Sequence, residues 1–190
     1  MSAVPERKMT VDEFLAWAET QPGRHELYDG VAYAMSPERL GHADMKLRVV
    51  RAMGDAIKGR GLQCHALPDG MTVRVGRNSA YEPDALVYCG PKLPRDAIEV
   101  PNPVIVVEVL SPSTRHIDAA AKLFGYFQLE SVRHCIIVDP DKRLVIQHQR
   151  RADGQVLTSF VPTGAIRFDP PGIEFDVADL YPPDEFPPDG

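Results

Sequence analysis

A chain of 190 residues, with 44% hydrophobic and 25% charged side chains, has the size and composition of one soluble globular domain. Such a length suffices to bury about 70% of the unfolded surface. No apolar run approaches the roughly 18–20 residues of a membrane helix, and Met1 to Lys8 lacks a signal-peptide core. The expected compartment is therefore the cytoplasm. Cys64, Cys89 and Cys135 are expected as buried thiols, being odd in number and without C-x-x-C spacing. The net charge of −6 is unevenly spread: seven acids and no Lys or Arg follow residue 168, leaving 21 basic against 20 acidic side chains before it. A near-neutral body neither requires nor forbids a nucleic-acid partner.

Taken in order, Thr10 to Trp17 reads as a short amphipathic helix, with Thr10 as N-cap and Glu13 three residues on. Pro22-Gly23 ends it. His25 to Met35 predicts a hairpin turning at Asp29-Gly30. Gly41 to Gly59 predicts a long helix, apolar at Leu47, Val50, Met53, Ala56 and Ile57, with Lys46, Arg48, Arg51 and Lys58 on its polar side. Strands are expected at about 71–75, 84–89 and 103–110. Ser111 to Thr114 then caps a helix over about 115–130. Further strands follow at 134–139, 144–148 and 156–161, with turns at Asp141-Lys142 and Asp153-Gly154. Six of the 18 prolines fall after residue 169. The expected organisation is one domain over 1–181 and an irregular Pro- and acid-rich tail over 182–190. A helix lying between strands implies an α/β sandwich, with a mixed central sheet flanked by helices.

The element that organises the rest is Pro103 to Ser111, whose β-branched run predicts a strand buried on both faces. Glu108 sits inside it. A buried carboxylate without a partner costs several kcal/mol, so Glu108 must be protonated, paired or bound to metal. Asp84, after Pro83, opens a second apolar run. Two strands with one acid each can bring both carboxylates to one end of a sheet, which suggests a metal site. On the 115–130 helix, Arg115, Asp118, Lys122, Gly125, Tyr126 and Leu129 share one face. The opposite face, with Ile117, Ala120, Phe124 and Phe127, is expected against the sheet. Asp118 and Lys122 read equally as an exposed i,i+4 ion pair, although Lys122 has a helical route back towards the acids.

In this order, Glu26 within Arg24-His25-Glu26-Leu27-Tyr28-Asp29-Gly30, Met35-Ser36-Pro37 with His42, Pro83-Asp84, and Val107 to Thr114 form a pattern. Asp118-x-x-x-Lys122-x-x-x-Tyr126 and Ile137-Val138-Asp139-Pro140 complete it. Over roughly residues 10–180 the chain resembles the Uma-two endonuclease family of the PD-(D/E)XK restriction-endonuclease-like superfamily. The resemblance implies a restriction-endonuclease-like fold and metal-dependent cleavage of phosphodiester bonds, with DNA as the expected substrate. It implies Mg2+ or Mn2+ held by Asp84 and Glu108, with the Val109 carbonyl as a further ligand and Glu26 as a third carboxylate. Lys122 would orient or deprotonate the attacking water, and oxygen ligands of this kind suit magnesium. The superfamily's usual lysine, two residues after the second acid, is replaced here by Leu110. That departure supports the other expected class, an inactive nuclease-like module that binds nucleic acid or protein.

Around this centre His42 is a candidate for a phosphate or a metal-bound water, or else a helix-end histidine. Tyr126 and Asp118 are supporting candidates, and an aromatic filling space reads as well at Tyr126. Asp139 reads better as a turn residue. Lys46, Arg48 and Arg51 could track a DNA backbone, or form a solvated helix face. A homodimer is the oligomer considered, since many nucleases pair to cut both strands. No G-x-S-x-G elbow or Walker A loop is present. The adjacent pairs Cys64-His65 and His134-Cys135 do not have structural zinc spacing.

Overall fold

The computed structural model describes residues 8–110 and 119–182. Helix α1 (Val11–Ala18) begins at the expected capping box: the Thr10 and Glu13 side chains each take the other's backbone N–H. Strands β1 (His25–Tyr28) and β2 (Val31–Ala34) form the expected hairpin. Its turn residues, Asp29 (φ 46°) and Gly30 (φ 81°), are both left-handed, the tight turn whose twist matches the flanking strands. The long helix α2 (Leu40–Arg60) follows.

Next come β3 (Cys64–Pro68), β4 (Val73–Arg74), β5 (Ala80–Tyr81), β6 (Ala85–Cys89) and β7 (Pro103–Val109). Helix α3 (Ala119–Tyr126) crosses to β8 (His134–Asp139), and β9 (Leu144–Arg150), β10 (Val156–Val161), β11 (Ala165–Phe168) and β12 (Ile173–Asp176) complete the order. The central sheet has six strands in the order β10-β9-β8-β7-β6-β3, and a second sheet has four in the order β2-β1-β5-β4. Only β7 and β8 pair in parallel within the central sheet, and α3 is their crossover, so the sheet is mixed as expected.

Strand β7 is covered on both faces. Ile105, Val107 and Val109 join Met45, Val49 and Met53 of α2 and Phe168 and Phe175 of the β11–β12 hairpin. Val106 faces the other way, with Leu86, Cys135, Tyr81 and Tyr126. Even-numbered positions of β7 therefore look towards α3 and odd ones towards α2. Glu108 is even.

Several expectations change. The buried side of α2 is Met45, Lys46, Val49, Met53 and Ile57, while Leu47 is exposed. In α3 the expected faces are exchanged in part: Tyr126 is fully buried and Phe124 is 70% exposed, while Phe127 packs against the core as expected. The cause is electrostatic, because Lys122 and Tyr126 both reach Glu108, and a buried carboxylate demands those partners more strongly than a phenyl ring demands cover. The strand expected over 71–75 is only Val73–Arg74, and β3, β5, β11 and β12 add to the expected strands. Cys64 and Cys89 form a disulfide rather than free thiols, since the antiparallel β3–β6 register sets them directly opposite. Cys135 is buried and free. The cap at Ser111 to Thr114, the helix positions Arg115, Ile117 and Asp118, and the tail from 183 lie outside the described residues.

Candidate active site

Two groups of side chains meet where β7 ends, and the 108–109 peptide unit joins them. The first group surrounds Glu108. Lys122 Nζ lies 3.2 Å from both Glu108 carboxylate oxygens and 2.8 Å from Glu26 Oε1. The Tyr126 hydroxyl donates to Glu108 Oε1 at 2.5 Å. Glu26 Oε1 also accepts the Glu82 backbone N–H at 2.9 Å. Four-residue spacing on α3 brings the ammonium and the phenol to one carboxylate. Gly125 between them permits close approach: a Cβ there would stand 2.7 Å from Tyr81 Cε2. The Tyr81 ring meets Tyr126 edge-on at 5.4 Å, and Lys122 Nζ lies 5.8 Å from its centroid.

The second group surrounds Val109. Its N–H donates to Asp84 Oδ2 at 2.7 Å, and His42 Nε2 meets its carbonyl at 2.9 Å and Asp84 Oδ2 at 3.6 Å. His42 Nδ1 lies 2.6 Å from Glu38 Oε1. Both imidazole nitrogens lie within hydrogen-bond distance of oxygen atoms. Lys46, one turn along α2, bonds Glu38, donates to Asp69 Oδ2 at 2.8 Å and lies 3.8 Å from Asp84 Oδ1. Arg24 pairs with both Asp69 and Glu82.

Burial raises the carboxyl pKa values of Glu26, Asp84 and Glu108. Lys122 opposes the rise at Glu26 and Glu108, His42 opposes it at Asp84, and Asp84 adds to it at Glu108. Burial also works against the Lys122 ammonium, but the flanking Glu108 and Glu26 carboxylates outweigh it and raise its pKa. At Lys46 the bonds to Asp69 and Glu38 likewise overcome desolvation. The site is thus an excess of partly buried negative charge with two lysines pinned inside it.

The fold brings together Glu26, His42, Asp84, Glu108, Val109, Lys122 and Tyr126. It separates the three basic residues of α2. Lys46 is 7% exposed and points into the site. Arg48 instead pairs with Asp44 and with the Leu180 carbonyl, and Arg51 is exposed, so the three do not form one surface track. Asp139 holds a turn, accepting the N–H groups of Asp141 and Lys142. Glu38 and Asp69 had no place in the sequence reading. Glu38 was findable, four residues before His42, whereas the approach of Asp69 depends on a turn that returns to α2 from β3.

Oxygen donors suit a hard divalent cation. Glu38, His42 and Asp84 offer ligand atoms within 4.8 Å of one another, the group of three that does so among the described residues. Glu26, Asp84 and Glu108 do not close to that span. The donor set fits a divalent ion near Asp84.

Comparison with known proteins agrees with this architecture. A crystal structure described as a putative nuclease of the DUF820 group, from Anabaena variabilis, superposes with a TM-score of 0.69 at 18% identity, covering 91% of this chain and 97% of that one. An uncharacterized protein of Synechocystis is 24% identical over 181 residues, 94% of each chain. Residues 11–178 match the family described as "Uma2: Putative restriction endonuclease". Sharing that family's pattern across nearly its whole length, the chain belongs to the Uma2 family.

Proposed function

We propose that this protein is a divalent-metal-dependent endonuclease that hydrolyses phosphodiester bonds in DNA, using Mg2+ or Mn2+. The observation that supports it is the placing of Asp84 and Glu108 side by side where β7 ends, Asp84 on the Val109 N–H and Glu108 on the Lys122 ammonium that also meets Glu26. Membership of a nuclease-like family adds to it. Asp84 and Glu108 would hold the cation, with the Val109 carbonyl and Glu26 beside them. When bound, the cation supplies Lewis acidity to a phosphoryl oxygen and eases ionisation of the attacking water.

The side chains divide the remaining work. Lys122, held between two carboxylates with its pKa raised, keeps its proton. Its part is then to orient the attacking water and stabilise charge on phosphate, not to remove a proton. Tyr126 fixes the Glu108 carboxylate through its hydroxyl. His42 does the same for the Val109 carbonyl and Asp84 for the Val109 N–H, so both backbone polar groups of residue 109 are held in place.

Supercoiled plasmid incubated with purified protein and Mg2+ or Mn2+ is expected to be nicked or linearised. EDTA and Glu108→Gln should each abolish the product. The rival reading, a nuclease-like module that binds without cutting, draws on Leu110 at the position of the superfamily's lysine. Intact plasmid with either metal, together with DNA binding that survives EDTA, would establish that rival. A parallel arm with RNA decides the substrate.

A further inference from the structure

We propose that β10 is a dimerisation edge, at which two copies pair antiparallel about a two-fold axis through Thr158. Strand β10 ends the central sheet, hydrogen-bonded to β9 on one side only. The outer row of its backbone N–H and C=O groups is a template for another strand. Proteins blunt such edges with charge, proline or brevity, and the other edges here use these devices. Strand β3 terminates in Pro68 and packs its Cys64 and Ala66 beside α2, β2 has four residues, and β4 has two. Strand β10 has six residues, Val156-Leu157-Thr158-Ser159-Phe160-Val161, with no charge and no proline.

The occupant is a second copy because the strand is self-complementary. A two-fold axis normal to the sheet keeps each face on its own side, so antiparallel pairing joins residues of the same parity. With Thr158 on the axis, Val156 of each copy lies opposite Phe160 of the other. Both are exposed, Phe160 at 67%. Aromatic against β-branched residues and threonine against threonine are favourable cross-strand pairs. No like charges meet anywhere along the strand. The same axis puts both α3 helices, and the Lys122 side chains they carry, on one face of the joined sheets. Two copies would then present their sites to the same side.

Sedimentation of the full chain at micromolar concentration is expected to show a dimer. Thr158→Lys, which opposes like charges across the axis, should weaken association at least about tenfold. Phe160→Glu should weaken it similarly and does not touch the hydrogen bond that Thr158 shares with His148. Mixing Thr158→Lys with Thr158→Asp should restore a heterodimer. A wild-type chain that stays monomeric overturns the proposal, as does a dimer that both single variants leave intact. Should Thr158→Lys lose its circular-dichroism signature of folding, Phe160→Glu alone decides.

Discussion

At the residue scale the site turns on Lys122. One ammonium neutralises parts of two carboxylates from different sheets, Glu26 from β1 and Glu108 from β7. Removing it leaves two acids facing each other with little water. Truncating one partner of a buried ion pair costs about 3–5 kcal/mol, more than the pair itself contributes, because the survivor is stranded. Lys122→Met should therefore lower unfolding free energy by about 3 kcal/mol and DNA cleavage by at least about a hundredfold. Glu108→Gln on the Lys122→Met background should recover part of the stability and none of the activity, as measured by urea unfolding and plasmid nicking. Equal stability in Lys122→Met and wild type would show that solvent already screens the trio.

At the element scale the question is which face of α3 packs inward. The wheel of its sequence offers two faces, one with Phe124 and Phe127 and one with Lys122, Gly125 and Tyr126, and hydrophobicity alone selects the first. The structure turns the second inward, with Phe127 at its margin and Phe124 left exposed, because Glu108 needs an ammonium and a hydroxyl, and because glycine lets the helix close on Tyr81. The convergence of Asp84, Glu108 and Lys122 is legible from strand pattern and helix spacing, and that of Glu26 from family resemblance alone. Also legible are the capping box, the Asp29-Gly30 turn and the doubly buried β7. What could not be read came from tertiary pairing: the Cys64–Cys89 register, the inward turn of Lys46, and the short strands β3, β5, β11 and β12, whose two to five residues carry too little pattern. Gly125→Ala tests the packing directly. Alanine gains about 1 kcal/mol of helix propensity, but its Cβ would meet a buried tyrosine ring at 2.7 Å. Overpacking costs about 1–3 kcal/mol, so a net loss of up to about 2 kcal/mol is expected. Phe124→Ser, on the exposed face, should change stability by less than about 0.5 kcal/mol. A stabilising Gly125→Ala in thermal melts would mean that α3 does not press on Tyr81.

At the scale of the whole molecule, stability must respond to acid and base through different parts of the fold. His134 begins β8 wholly buried, its Nε2 donating to the Pro170 carbonyl at 3.0 Å and its ring edge-on to Phe168. Burial pushes its pKa down from 6.5 to about 4. Between those values the unfolded chain binds a proton that the folded one refuses, so stability falls as pH falls, by roughly 3 kcal/mol at most. Glu26, Asp84 and Glu108 act in the opposite sense. Their folded pKa values are raised, so the folded chain holds protons that the unfolded one releases. Stability from these groups is complete below the ordinary carboxylate range and is lost as pH climbs through the raised values. Asp69 and Glu38, whose pKa values Lys46 lowers against the effect of burial, with Arg24 helping at Asp69 and His42 at Glu38, lose stability only below that range. A divalent cation at the acids competes with their protons and should relieve the upper limb while leaving the His134 limb untouched. Thermal melts in EDTA and in excess Mg2+ or Mn2+, at about pH 5 and about pH 8, separate the two. The metal should raise the melting temperature more at the higher pH, and the fall on acidification between about pH 6.5 and pH 4.5 should persist in its presence. An equal shift at both pH values would place the cation away from Glu26, Asp84 and Glu108, and would remove those acids from the metal site.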